Sequence, residues 1–183
     1  MNADTIALRR VTELNGATRQ ALADLYANVR ADLLHLPNYK VSTFTERLDR
    51  HAAEPGWESV IAYAGDDPVG YAYANTVEPG NRWWARLESP APEEYTSGPA
   101  VAIKEIGIVK PWRGQGIARQ MHDHLMQARP ELYATLFVNS KAGDGKVQAL
   151  YAGWGYVVIG EQQPLSPDAP RLTCMGRRAA NPS

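Results

Sequence analysis

Lys110-Pro111-Trp112-Arg113-Gly114-Gln115-Gly116-Ile117-Ala118 is the stretch that decides how this 183-residue chain folds. It follows a β-branched run from Ala100 to Val109. It opens a segment, Gly116 to about Ala128, in which Ile117, Met121, Leu125 and Met126 recur at helical spacing. A strand therefore passes through two glycines into a helix, and that junction is an anion site on physical grounds. The first-turn N–H groups of a helix lack intrahelical partners, and the helix dipole places positive partial charge there. Gly114 and Gly116 remove side chains that would keep a ligand from the backbone, and Arg113 adds a cation. A diphosphate is the natural occupant. A Walker loop needs a lysine followed by Ser or Thr after its last glycine, where this chain has Ile117-Ala118. A dinucleotide fingerprint needs a third glycine and an acidic residue after the next strand, and neither is found. A glycine-rich turn without a ligand is the remaining competitor.

Downstream, Leu132 to Asn139 reads as a strand, so strand, helix and strand form a βαβ unit whose two strands should be parallel neighbours. Val147 to Gly153 is a short helix, with Tyr156 to Ile159 and Arg171 to Met175 as closing strands. Upstream, Thr5 to Val11 is a first strand, and Asn15 caps a helix running to about Leu34 through Ala21, Leu22, Leu25, Tyr26 and Val29. Ser42 or Thr43 caps a second helix, which ends before Pro55-Gly56. Trp57 to Ala64 and Val69 to Val77, joined by Gly65-Asp66-Asp67-Pro68, form a hairpin. Pro79 to Pro99 lacks periodicity and carries Trp83-Trp84, a pair that either lines a pocket or anchors the loop. The order β α α β β β α β α β β is a single α+β domain over residues 1–178, and the tail 179–183 is expected to be disordered.

Composition excludes several function classes. A net charge of -1 and a pI near 6.4 leave no basic excess for nucleic acid or an anionic membrane. One cysteine, Cys174, rules out an internal disulfide, and its apolar neighbours suggest a buried strand thiol. The histidines show no metal-site spacing; His122 and His124 are two apart and do not share a helical face, so no metal is expected. The start of the chain has no basic segment followed by an apolar run, and no apolar stretch suits a bilayer, which makes the cytoplasm the expected location.

Arg113-Gly114-Gln115-Gly116-Ile117-Ala118 resembles the Q/R-x-x-G-x-G/A acyl-CoA motif of the GNAT superfamily of N-acetyltransferases. Ala149-Leu150-Tyr151-Ala152-Gly153-Trp154-Gly155-Tyr156 resembles a second family segment, A-L-Y-x-x-x-G-F/Y, at the expected place after the next strand. The resemblance implies a GNAT fold, with a mixed sheet of about seven strands, a splayed acyl-CoA-binding strand and about four helices. It implies acetyl-CoA as cosubstrate, with the diphosphate on residues 113–118 and the pantetheine arm paired to Ile106, Gly107 and Ile108. A strand with free main-chain groups beside a diphosphate site has a physical reason to bind an amide-bearing arm in this way.

Tyr151 matches the tyrosine that, in many relatives, protonates the departing thiolate; a phenol, ordinarily titrating near about 10, is protonated at neutral pH. A core tyrosine is its competing reading. For the general base Glu105 is the first choice and an ordered water the alternative. Many relatives carry an asparagine about seven residues before the tyrosine, where this chain has Asp144, and Asn139 is the candidate to replace it. The expected reaction is direct transfer of an acetyl group to a primary amine, first on a small molecule and second on a protein lysine or N-terminus. A domain that binds acyl-CoA without turnover, as a sensor or partner module, is the non-enzymatic alternative. Homodimerisation is common in the family, although no stripe in this sequence specifies it.

Overall fold

The computed structural model describes residues 5–166 and 169–179. Along the chain run β1 (Ile6–Val11), α1 (Gly16–Val29), α2 (Val41–Ala52), β2 (Glu58–Ala64), β3 (Asp67–Val77), α3 (Arg82–Ala85), α4 (Glu93–Thr96), β4 (Ala100–Ile108), α5 (Ile117–Met126), β5 (Tyr133–Asn139), α6 (Lys146–Gly153), β6 (Val157–Gln162) and β7 (Leu172–Arg178). The strands form one mixed seven-stranded sheet in the order β1-β2-β3-β4-β5-β7-β6. The α+β class and the strand number agree with the sequence reading. The parallel pairing expected of the βαβ unit is present, with Ala100 opposite Tyr133 through Ile103 opposite Leu136. That ladder stops at Ile103, although β4 continues to Ile108.

By compactness the chain divides into two units, Met1–Asn75 with Lys104–Arg129 and Thr76–Ile103 with Pro130–Ser183. In the first, Leu22, Leu25, Tyr26 and Val29 of α1 and Phe44 and Leu48 of α2 bury against Ile61, Tyr71 and Tyr73 of β2 and β3. In the second, Val77, Trp84, Tyr95, Ala100, Ala102 and Cys174 make the core. The tryptophan pair is an anchor: Trp84 is buried, and the Trp83 ring packs 4.5 Å from Phe137 while its Nε1–H donates to Thr135 Oγ1 at 3.3 Å. Asn81 caps the single turn α3, accepting from Trp83 N at 2.8 Å.

Helix boundaries show where tertiary contacts override local signals. Asn15 caps α1 as expected, accepting from Thr18 N at 2.8 Å. The helix ends at Val29 instead of continuing to Leu34, because Arg113 Nη2 donates to Val29 O at 3.0 Å and Arg30 leaves helical geometry with φ -106 and ψ 17. Lys40, not Ser42 or Thr43, is the N-cap of α2; the Thr43 hydroxyl instead donates to Pro37 O at 3.1 Å. Of the expected tail, Ala179 is buried and its N–H donates to Leu132 O at 2.7 Å, while 180–183 lie outside the described residues. Among the described residues no helix is long and apolar enough to cross a membrane.

Gly107 in β4 lies directly beneath the Tyr71 ring: a Cβ there would sit 2.7 Å from Tyr71 Cε1 and 3.1 Å from Val29 Cγ1. Gly153, at the end of α6, has nothing within 4 Å of the same position. Denaturant unfolding should therefore show Gly107→Ala destabilised by about 1–3 kcal/mol, the usual cost of overpacking, and Gly153→Ala unchanged or slightly stabilised.

Candidate active site

At the end of β4 the chain makes a 3-10 turn over Lys110–Trp112 and then the glycine loop. Gly114 and Gly116 hold φ of 77 and 78, a left-handed conformation that only glycine adopts at little cost. Gly116 is the N-cap of α5, contributes no side-chain cap, and passes its carbonyl to Gln120 N at 3.1 Å. An added Cβ at either glycine meets nothing within 4 Å. Left-handed geometry, not crowding, therefore requires glycine, and the loop's bare backbone borders open space. These residues fit a diphosphate. The first-turn N–H groups of α5 supply donors, and Ile117, Met121 and Leu125 anchor the helix through its buried face.

Arg113 also has a structural part. Its Nε donates to Ile108 O and its Nη2 to Val29 O, each at 3.0 Å, so the guanidinium ties the end of β4 to the end of α1. The charge stays at the root of the loop while these two donors are engaged. Gln115 is exposed and bends back along the loop, Nε2 donating to Pro111 O at 3.3 Å. Of the arm-binding candidates, Ile106 and Ile108 are half-buried and Gly107 is buried. The part of β4 that holds them lies beyond the end of the β5 ladder. Gly107 has a packing duty as well, since Tyr71 fills the space its side chain would take.

Glu105, on the same strand, belongs to a buried polar cluster that the sequence did not disclose. Arg47 Nη2 donates to Glu105 Oε1 at 2.9 Å, with the Glu105 side chain 12% exposed. Four residues further along α2, His51 Nδ1 lies 3.1 Å from Tyr73 Oη. Lys104 Nζ sits 3.8 Å from Glu54, which also accepts from Asn75 Nδ2. Burial works against the Arg47 guanidinium, but the Coulombic pull of Glu105, aided by the Tyr73 phenol, outweighs it and raises its pKa. Burial pushes the Lys104 ammonium below its ordinary value, with Glu54 opposing, and lifts the Tyr71 and Tyr73 phenols well above theirs. Arg47 and His51 sit at i and i+4 on the face that carries Phe44 and Leu48. Polar residues on the apolar stripe of a helix were the available signal.

In the second unit, Tyr151 is half-buried on α6, its ring edge-on to Trp154 at 5.2 Å and to Tyr156 at 6.1 Å. Its carbonyl accepts from Trp154 N and Tyr156 N at 2.9 and 3.1 Å, and Gly155 turns the chain with φ 89. Asn139 closes the turn after β5, Oδ1 accepting from Lys141 N at 3.0 Å, so that oxygen is already engaged. Asp144 holds φ 56 between Gly143 and Gly145, both also left-handed. Aspartate and asparagine tolerate that region better than most residues. Burial pushes the Cys174 thiol up to about 11 against the opposing hydrogen bond with Thr135, so it is no ready nucleophile.

His51 gives the first cluster a measurable signature. Burial, then the nearby Lys104, Arg47 and Arg50 charges, lower its pKa from 6.5 to about 3, so the folded protein holds a neutral imidazole at working pH. An unfolded chain takes up that proton near 6.5 and the folded one does not until about 3. Stability from this group is thus full above the upper value and is lost as pH falls across the window. Denaturation at a series of pH values should show His51→Asn with a slope of stability on pH shallower by about 1.4 kcal/mol per unit between those limits. Parallel slopes would contradict the burial of a neutral ring.

With the geometry in view, the chain can be set beside known proteins. No curated protein sequence matches it. Among solved structures, an acetyltransferase from Thermus thermophilus superposes with a TM-score of 0.64 at 14% identity, covering 97% of this chain and 99% of that one. The ribosomal-protein-S18-alanine N-acetyltransferase from Escherichia coli gives 0.64 at 12% identity, covering 97% and 96%. Arabidopsis thaliana NAA60 in complex with acetyl-CoA gives 0.65 at 14% identity, covering 95% and 98%. At these identities the likeness is one of fold. The pattern of the acetyltransferase (GNAT) family matches residues 21–156, most of the chain, and on that match the protein belongs to the GNAT acetyltransferase family.

Proposed function

We propose that this chain transfers an acetyl group from acetyl-CoA to the primary amine of a small molecule, directly, with both substrates held at once. The observation that carries the reading is the run of β4 out of its ladder into a loop of two left-handed glycines and on to the N-terminus of α5. Acetyl-CoA supplies an acyl group activated as a thioester. The backbone of residues 113–118 would hold its diphosphate, and the main chain of Ile106, Gly107 and Ile108 its amide-bearing arm. Asn139 remains a candidate contact through its amide nitrogen.

Glu105 is the group we assign to accept the amine's proton, because a neutral amine is the nucleophile and a carboxylate can take the proton it releases. Ion-paired through Oε1, Glu105 keeps a second oxygen for that purpose. Its recessed position favours a slender amine over a folded protein surface as acceptor. Tyr151 is assigned, on the motif it shares with the family, to protonate the leaving thiolate, and a main-chain N–H of β4 to polarise the thioester oxygen. Positioning of the two substrates supplies the larger part of the rate.

Release of free thiol from acetyl-CoA over a panel of small amines, lysine-bearing peptides and peptide N-termini tests this. A small amine should stimulate release. Tyr151→Phe and Glu105→Gln should each lower kcat about a hundredfold, a typical worth of acid–base catalysis, while retaining acetyl-CoA binding. Gly116→Glu should abolish that binding, because its carboxylate meets the diphosphate in a strained backbone. Stimulation by peptides alone would reassign the acceptor; binding without any turnover would make the chain an acyl-CoA sensor.

A further inference from the structure

Among the described residues, Glu105 is the catalytic candidate with the most developed surroundings, and those surroundings centre on Arg47. Both side chains are substantially buried, at 27% exposure for Arg47 and 12% for Glu105, and 2.9 Å separates Nη2 from Oε1. Arg47 is itself held from below: its guanidinium lies 5.7 Å from the Phe44 ring, which stacks on Tyr26 at 4.0 Å between centroids. Two phenols nearby, Tyr26 and Tyr71, are almost wholly buried, and the Tyr71 hydroxyl has no hydrogen-bond partner among the described residues. The groups facing Glu105 are thus Arg47 from α2, Tyr26 from α1, and Tyr71 and Tyr73 from β3. Of these, Arg47 makes the direct contact.

A carboxylate can accept the amine's proton only from a fixed place beside it, and a contact to one of its oxygens fixes the other. We propose that Arg47 is a positioning residue that holds Glu105 by one oxygen and so presents the other to the amine. This rests on the reading of Glu105 as proton acceptor. Arg47 touches neither substrate in this account. It acts through the carboxylate, and the long guanidinium suits the task because it stays charged when desolvated.

The test compares wild type with Arg47→Gln, Arg47→Lys and Glu105→Gln in the thiol-release assay, with acetyl-CoA affinity and thermal unfolding measured on each. Arg47→Gln keeps a hydrogen-bond donor and removes the charge. It should lower kcat by about tenfold, the scale of a misplaced catalytic group, with KM and acetyl-CoA affinity unchanged. Arg47→Lys, which restores the charge and is the milder change for folding, should recover part of that loss. An unchanged kcat in Arg47→Gln while Glu105→Gln loses rate would overturn the proposal and leave the base assignment standing. Full activity in Glu105→Gln would overturn the base assignment itself.

Discussion

A main-chain N–H or C=O taken out of a β ladder has to find another partner, and that requirement governs the end of β4. Its pairing with β5 stops at Ile103 while the strand runs on to Ile108, so five residues need other arrangements for the groups that faced the ladder. Arg113 takes Ile108 O, while on the opposite side of the strand Val109 N just beyond β4 stays tied to β3 through Val69 O at 2.9 Å. These attachments determine the path of the next segment: the 3-10 turn, two glycines in a conformation other residues resist, with open space where their side chains would be, and a helix start. A strand end left open on one side is costly in an ordinary domain, and here it adjoins the glycine loop. Affinity for an extended, amide-bearing ligand is the use that would offset the cost.

The polar cluster beneath α1 and α2 obeys a different rule. Arg47, Glu105, Lys104 and Glu54 bring charges of both signs into a region walled by Phe44, Tyr26, Tyr71 and Tyr73. A buried ion pair contributes little net stability, because desolvation consumes much of the Coulombic gain, yet removing one partner alone is severe. Such pairs are weak evidence for stabilisation and better evidence that charge is required at that place. His51 fits the same pattern, giving up its proton so that the cluster does not acquire a further cation.

The glycine loop was legible because its chemistry is local: positive φ, a helix start and missing side chains are written in six consecutive residues. The parallel βαβ strands and the hairpin were legible for the same reason, periodicity and turn residues lying close together in the chain. Features decided by distant contacts were not. Nothing between Arg30 and Leu34 announces the end of α1; the donor that fixes it, Arg113, lies more than eighty residues on. Trp83 and Trp84 stand in a stretch without periodicity that leaves pocket and anchor both open, and their partners, Phe137, Thr135 and the core with Val77 and Tyr95, come from elsewhere in the second unit. Arg47 was missed for want of its partner, since a lone arginine among Phe44 and Leu48 reads as a helix-surface cation until Glu105 is placed opposite it.

Because Gln115 Nε2 and two donors of Arg113 already bond main-chain carbonyls, the loop from 113 to 118 would offer a diphosphate chiefly backbone. A site of that kind is written in dihedral angles instead of side chains. Recognition of that kind would survive exchange of residues at positions 115, 117 and 118 so long as the chain keeps its path. The identity of the surrounding amino acids is then free to answer to other demands, such as packing Ile117 into the core. Cosubstrate binding and acceptor choice can thereby diverge at different rates within one fold.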